Sequence, residues 1–232
     1  MLRRIAMTAA VLSALLSMTP RVPAAHAEPA TPTWWYGFGG GGFSPQGSFA
    51  DHAGFEGALE LFVAHEVTQD SRWGVRLTGQ ALEFARNDTS YALPGIDVRT
   101  RTSSQLLWLT LGPQLELGSG PVRVLLDAGV GGAWAITRTA IRTSTNDVGS
   151  THLQRAAVAL EGGAALSYDL TRARNLRLEL GGRWLHTGSL EYVPESGIAR
   201  AAGQLVLTPR EDPLGGISLR AALALGLGGR RS

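Results

Sequence analysis

Apolar and polar residues alternate along most of this chain with a period of two. From Leu107 the odd positions are Leu107, Leu109, Leu111, Pro113, Leu115 and Leu117, while the even ones include Trp108, Thr110, Gly112, Gln114 and Glu116. A period of two places one face of a β-strand among apolar groups and the other among polar ones. After Gly118-Ser119-Gly120-Pro121 the apolar phase moves to even numbers: Val122, Val124, Leu126, Ala128, Val130, Gly132, Trp134 and Ile136 alternate with Arg123, Asp127, Gly129, Gly131 and Ala133. The segment reads as a hairpin closed by a tight turn. Each arm passes the roughly five or six residues usual in a soluble sheet and reaches the roughly 9–11 that a tilted strand needs to cross a bilayer.

The same pattern predicts further strands at 33–43, 55–64, 72–81, 155–168, 176–184 and 217–228. Leu82 and Phe84 break the phase of the third strand, which points to a bulge there. Connections alternate in length, long at 44–53, 87–102 and 137–151, short at 68–71, 118–121 and 169–174. Short turns on one side and long loops on the other are the asymmetry of an outer-membrane barrel, which also requires an even strand count in bacteria. Residues 199–207 alternate as well, and counted as a full strand they would make nine. We read 190–216 as a long outer excursion with some β structure. The expected fold is therefore an all-β, antiparallel, up-and-down transmembrane β-barrel of about eight strands, with ten as the alternative.

The amino terminus agrees with this destination. Arg3 and Arg4 precede a mostly apolar run from Ile5 to Met18, and Ala25-His26-Ala27 has the small-x-small form of a signal-peptidase site. Residues 1–27 read as a cleaved signal peptide, 28–32 as a periplasmic spacer, 33–228 as the barrel and 229–232 as a short tail. The apolar run is too short for a helical span, so insertion of the mature chain requires a closed barrel. Loss of Arg3, Arg4 and Arg21 with the leader turns 21 basic against 19 acidic residues into 18 against 19. No basic excess remains for a nucleic-acid partner. There is no Cys, hence neither a disulfide framework nor a thiolate metal site.

If the apolar series faces lipid, the opposite series faces the lumen. That set comprises Glu56, Glu60, Arg72, Arg76, Gln80, Gln114, Glu116, Arg123, Asp127, Arg155, Glu161, Arg177, Glu179, Arg183 and Arg220, with Glu66 at an end. An arginine on the lipid face at mid-bilayer costs about 2–4 kcal/mol, which fixes the inside–outside assignment. Near-balanced charge in a barrel this narrow predicts arginine–carboxylate networks rather than a wide pore. The inward glycines Gly74, Gly112, Gly129, Gly131, Gly163 and Gly181 are expected to make room for the arginines.

Over 33–228 this pattern resembles the small outer-membrane β-barrel proteins of Gram-negative bacteria. The resemblance implies residence in the cell outer membrane, contact with its lipid and lipopolysaccharide, and delivery by the barrel assembly machinery. It names no extracellular ligand and no cofactor. Two departures stand out. The chain ends Leu225-Gly226-Leu227-Gly228-Gly229-Arg230-Arg231-Ser232 rather than on an aromatic residue, and Pro113 lies inside a strand, where a bulge is expected to absorb it.

Candidate chemistry is sparse. Arg183 to Glu191 looks a little like the region of lipid A deacylase barrels in which a His and a Ser lie close together. Their spacing here, His186 to Ser189, is three residues rather than two, and His186 shares the outward phase of Leu180 and Trp184. A histidine at the strand rim beside Trp184 is the preferred reading, with Glu191 and Glu195 as loop charges. His52, His65 and His152 are scattered without metal-ligand spacing, and Asp88, Asn146 and Asp147 read as solvated turn residues. Gly39 to Gly42 lacks the Lys-Ser/Thr of a phosphate loop. Trp34, Trp35 and Tyr36 read as an interfacial anchor. The expected function is a non-catalytic barrel serving envelope structure or loop-mediated binding; the alternatives are a barrel hydrolase acting on lipid through His186 and Ser189, and a small porin-like channel. A soluble periplasmic barrel is the structural alternative.

Overall fold

The alternating segments are strands that close on one another. A computed structural model describes residues 32–67, 72–93, 96–143, 147–171, 175–201 and 204–229. The expected signal peptide and all but the last residue of the spacer lie outside the described residues, as do 230–232. In chain order the strands are β1 (Pro32–Pro45), β2 (Glu56–Glu66), β3 (Trp73–Leu93), β4 (Ile96–Leu117), β5 (Val122–Thr143), β6 (Asp147–Asp169), β7 (Leu176–Tyr192), β8 (Ile198–Ala201), β9 (Gln204–Leu207) and β10 (Arg210–Gly229). Eight of them form a closed antiparallel barrel in the order β1-β10-β7-β6-β5-β4-β3-β2, and β8 with β9 makes a separate two-stranded sheet. The eight-stranded count holds, and the excursion after β7 carries the short hairpin.

Closure comes from β1 and β10, which pair from Pro32 with Gly229 to Pro45 with Gly216. Both described termini thus sit at one end, the end of the tight turns. In the turn between β4 and β5, Gly118 and Gly120 have φ of 110° and 106°, a region that residues with a Cβ avoid.

The outer face of the barrel is an apolar band. Leu59, Leu61, Leu77, Leu109, Leu111, Val130, Val158, Leu160, Leu166, Leu180, Leu219 and Leu223 all project outward and are exposed. In water such a belt would be far larger than the apolar patches soluble monomers tolerate; facing acyl chains it is what a transmembrane β-barrel requires.

Three expectations are corrected. The polar stretches 87–102 and 137–151 are not loops: β3 and β4 run on, paired, to Leu93 and Ile96, and β5 and β6 to Arg142 and Asp147. With 21, 22, 22 and 23 residues, β3 to β6 are about twice as long as the roughly ten residues that cross a bilayer, followed by β10 with 20 and β7 with 17. Second, Leu82 does not leave its phase. It stays on the inward face of Arg76, and the bulge falls between Glu83 and Ala85, so that Phe84 and Ala85 are both buried. Third, Pro113 causes no bulge. Pairing of β4 with β5 lapses between Leu111–Val130 and Gln114–Asp127 and resumes in the same register, while Pro113 still pairs with Val75 of β3. The missing N–H therefore costs ladder bonds on one side only.

Candidate functional site

The lumen holds one connected set of buried ion pairs. It runs from Asp169 to Arg123, on to Glu116 and Arg177, then to Glu179, and through Arg76 and Arg220 to Glu60; Arg183 joins Glu60 to Asp127 and Glu161. Glu179 is the hub. It accepts from Arg76 at 3.0 Å, from Arg220 at 3.1 Å and from the neighbouring Arg177 at 3.1 Å. Glu60 accepts from Arg76 at 3.1 Å and Arg220 at 2.7 Å, and its other oxygen lies 3.5 Å from Arg183. Arg183 also donates to Asp127 at 3.1 Å and to Thr78 at 3.2 Å, and bonds to Glu161.

Every barrel strand except β1 supplies a charge to this set. β1 turns Gly37, Gly39 and Gly41 inward instead, and the ring of Phe62 lies where a Cβ on Gly37 would be. Phe62 in turn carries the Arg76 guanidinium, 3.5 Å above its ring, and Trp35 carries that of Arg177 at 3.9 Å. These contacts supply flat apolar support with a negative face to cations withdrawn from water. An arginine–carboxylate pair this deeply buried repays its desolvation only when further hydrogen bonds complete it. The indole N–H of Trp108 does so for Glu161 at 2.9 Å, as does Gln114 for Arg76 at 3.2 Å.

Beyond the ion pairs, toward the end away from the termini, the inward face turns apolar. Phe43, Phe49, Leu82, Phe84, Leu106, Trp108, Leu185, Leu190, Tyr192 and Leu214 pack into one buried cluster. Phe49, from a 3-10 turn at Gly47–Asp51, meets Phe84 and Tyr192 edge-on with ring centroids 5.2 and 5.6 Å apart. Charge network and apolar plug lie in series along the barrel.

Of the thirteen charges expected in the network, ten are in it: Glu60, Arg76, Glu116, Arg123, Asp127, Glu161, Arg177, Glu179, Arg183 and Arg220. Arg72 precedes β3 and is exposed, and Glu56 opens β2 at the opposite rim, partly exposed. Arg155 lies above the band and bonds Glu191 at 2.8 Å in the open. These three share the inward parity but not the depth. Asp169, Trp35 and the plug were missed, although Asp169 has the parity of Glu161 and Trp35 that of the inward glycines. Trp34 and Tyr36 do face outward; Trp35, 1% exposed, donates its indole N–H to Glu66 at 2.9 Å. Among the inward glycines, Gly163 does make room for an arginine, with Cγ of Arg183 2.8 Å from the position of its absent Cβ. At Gly74, Gly112, Gly131 and Gly181 the nearest atom is instead a backbone oxygen of the adjoining strand, at 1.8 to 2.7 Å. Those glycines let curved strands approach.

The His186 and Ser189 pair is not assembled. His186 lies on the outer face with its ring parallel to Trp184, centroids 5.8 Å apart, and among the described residues no hydrogen bond joins it to Ser189. Between them Thr187 turns inward, fully buried, and accepts from the Leu214 amide at 3.0 Å. His65 stacks on Trp34 at 4.2 Å, also outside the lumen. Among the described residues no group of three or more His, Asp or Glu side chains has the arrangement of a metal site. The side chain of His152 lies outside the description.

No protein-family model matches this sequence, and no curated protein matches it. Solved barrels share its architecture. Neisserial surface protein A is 12% identical, with 84% of this chain and 97% of that one covered and a TM-score of 0.45. Ail, the attachment invasion locus protein of Yersinia pestis, is 12% identical over 84% and 99%, with a TM-score of 0.42. A major outer membrane protein of Thermus thermophilus is 14% identical over 84% and 98%, with a TM-score of 0.48. Each is a likeness of fold.

Proposed function

We propose that this chain is a non-catalytic integral barrel of a Gram-negative outer membrane. Its leader takes it across the inner membrane, the barrel assembly machinery inserts it, the lumen stays closed, and the tall wall of β3 to β6 is presented outside the cell for binding. The observation that carries this reading is the contrast between a lumen sealed by ion pairs and aromatic rings and a paired sheet that continues far beyond the apolar belt. A channel has no use for the first, and a purely structural barrel has none for the second. Mobility in SDS gels before and after boiling tests the barrel, since a closed membrane barrel resists unfolding until heated. Labelling of whole cells carrying Ser90→Cys, near the top of β3, tests the display. We expect a heat-modifiable band in the outer-membrane fraction and surface labelling. A protein released with the periplasm in the absence of detergent would refute it.

A further inference from the structure

The wall of β3 to β6 has two edges above the barrel, and the chain treats them differently. On the β2 side, β3 is paired as far as Leu82 with Ala58, and on the β7 side, β6 is paired as far as Ala159 with Thr187. β7 then leaves β6 and continues with β10 to the pair of Tyr192 with Arg210. Among the described residues, 83–93 of β3 and 147–158 of β6 therefore carry a ladder on one side only.

An unpaired strand edge is a template for another strand, and proteins guard it with charges, proline, bulges or a covering segment. The β3 edge is guarded. It carries Glu83, Arg86 and Asp88, the 3-10 turn Glu195–Gly197 lies against β3, and Phe49 of the other 3-10 turn packs on Phe84. The β6 edge is open. At its foot Arg155 bonds Glu191 of β7 at 2.8 Å, and above that point Val148 to Gln154 contains no Asp, Glu, Arg or Pro. The register with β5 shifts once there, at His152 between the pairs made by Leu153 and Thr151, and the strand runs on unbroken to Asp147.

Alternate residues of a strand point their N–H and C=O to opposite sides, so 147–154 offers a row of donors and acceptors on the side that β7 has left. We propose that this edge takes up an extended segment of another protein as an added antiparallel strand. A second copy of the chain does not fit. Two copies standing upright in one membrane present β6 running in the same direction, so their edges cannot continue the antiparallel ladder, and the oppositely directed β3 edge is the guarded one. The β8–β9 hairpin does not fit either, since its strands of 4 residues are already paired with each other. Main-chain bonds give an added strand its affinity, and alternate side-chain positions give it selectivity. Register puts Val148 in the row of Ile141, whose side chain is 42% exposed, which favours an apolar residue of the partner at that level.

The inference deepens the display reading above and rests on it, and the two are tested apart: labelling of Ser90→Cys on cells bears on display, amide exchange in detergent on the edge. The full mature chain is folded in detergent, and a capped eight-residue peptide of alternating Thr and Val is the probe. We expect alternate amides of 148–154 to exchange freely in the protein alone and at least about tenfold more slowly with the peptide bound, while 83–93 is unaffected. Gly149→Pro and Ser150→Pro remove neighbouring N–H groups, one directed to β5 and the other to the free side. The variant that loses the free-side group should keep its heat-modifiable mobility and lose the added protection. Four results would each overturn the added strand and leave the barrel standing: alternate amides already slow in the monomer without peptide, protection that falls on 83–93, protection that survives both substitutions in heat-modifiable protein, or protection that arises without peptide as dimers form in native mass spectrometry.

Discussion

Glu179 holds three guanidiniums at hydrogen-bonding distance with no exposure to solvent. Glu179→Gln keeps the shape and removes the charge, leaving Arg76, Arg177 and Arg220 to share Glu60 and Glu116. Breaking one side of a buried ion set costs about 3–5 kcal/mol, and that loss should appear in the urea midpoint of the protein folded into lipid vesicles. An unchanged midpoint would mean that water replaces the carboxylate and that the pairs are incidental. Gly163→Ala tests packing at the same depth: its Cβ meets Arg183 Cγ at 2.8 Å and the Asp127 carboxylate at 3.1 Å, so we expect a loss of roughly 1–3 kcal/mol. Gly57→Ala, with nothing within 4 Å, should change the midpoint little. At this scale the sequence was legible in one dimension. Parity told which face a residue takes, as it did for Glu179 and Arg183, but not how high it sits. Arg72, Glu56 and Arg155 have the right face at heights where water reaches them. Nor does parity mark where the inward face turns from ion pairs to rings: Leu82, Leu106 and Leu185 share the phase of Arg76, Trp108 and Arg183.

Among elements, the lipid-crossing halves of the strands were readable because one face is apolar, whereas the projecting halves of β3 to β6 were not. A strand with no lipid beside it needs no apolar series, and without one it has the composition of a loop. The pattern present there is one of Thr and Ser against Arg. Thr100, Thr102 and Ser104 turn inward and buried, and Arg99, Arg101 and Ser103 turn outward. Cross-strand hydroxyl pairs at 2.9 Å, Thr102 with Thr139 and Ser104 with Thr137, hold the wall together, and Ser104 also donates to the Val193 carbonyl at 2.7 Å. Cysteine substitution distinguishes the two halves of one strand. Water-confined maleimides should miss Leu109→Cys, Leu126→Cys and Leu178→Cys in vesicles while modifying Arg99→Cys and Arg138→Cys readily. Modification of Leu109→Cys at the rate of Arg99→Cys would mean that the apolar series does not face acyl chains.

For the whole molecule the decisive property is that two seals of different chemistry stand in series. An ion moving through the barrel has to part guanidinium–carboxylate contacts that neighbouring strands hold together, and then displace aromatic rings that exclude water. Removing either seal leaves the other, so conduction and stability should respond differently to the same substitutions. Phe49→Ala with Phe84→Ala empties the centre of the plug and should cost several kcal/mol, on the scale of about 3–5 for each large ring fully buried. Arg76, Arg183, Glu60 and Glu179 still close the section below, so planar bilayers containing this variant should show no more steady openings than wild type, which is expected to show none. Adding Glu60→Ala, Arg76→Ala, Glu179→Ala and Arg183→Ala to the ring variant takes away the second barrier. If the barrel still folds, as its gel mobility reports, steady conductance should appear only then. Stable openings in the wild-type protein would show that the ion pairs exchange fast enough for solutes to pass, and the closed lumen on which the binding role depends would have to be abandoned.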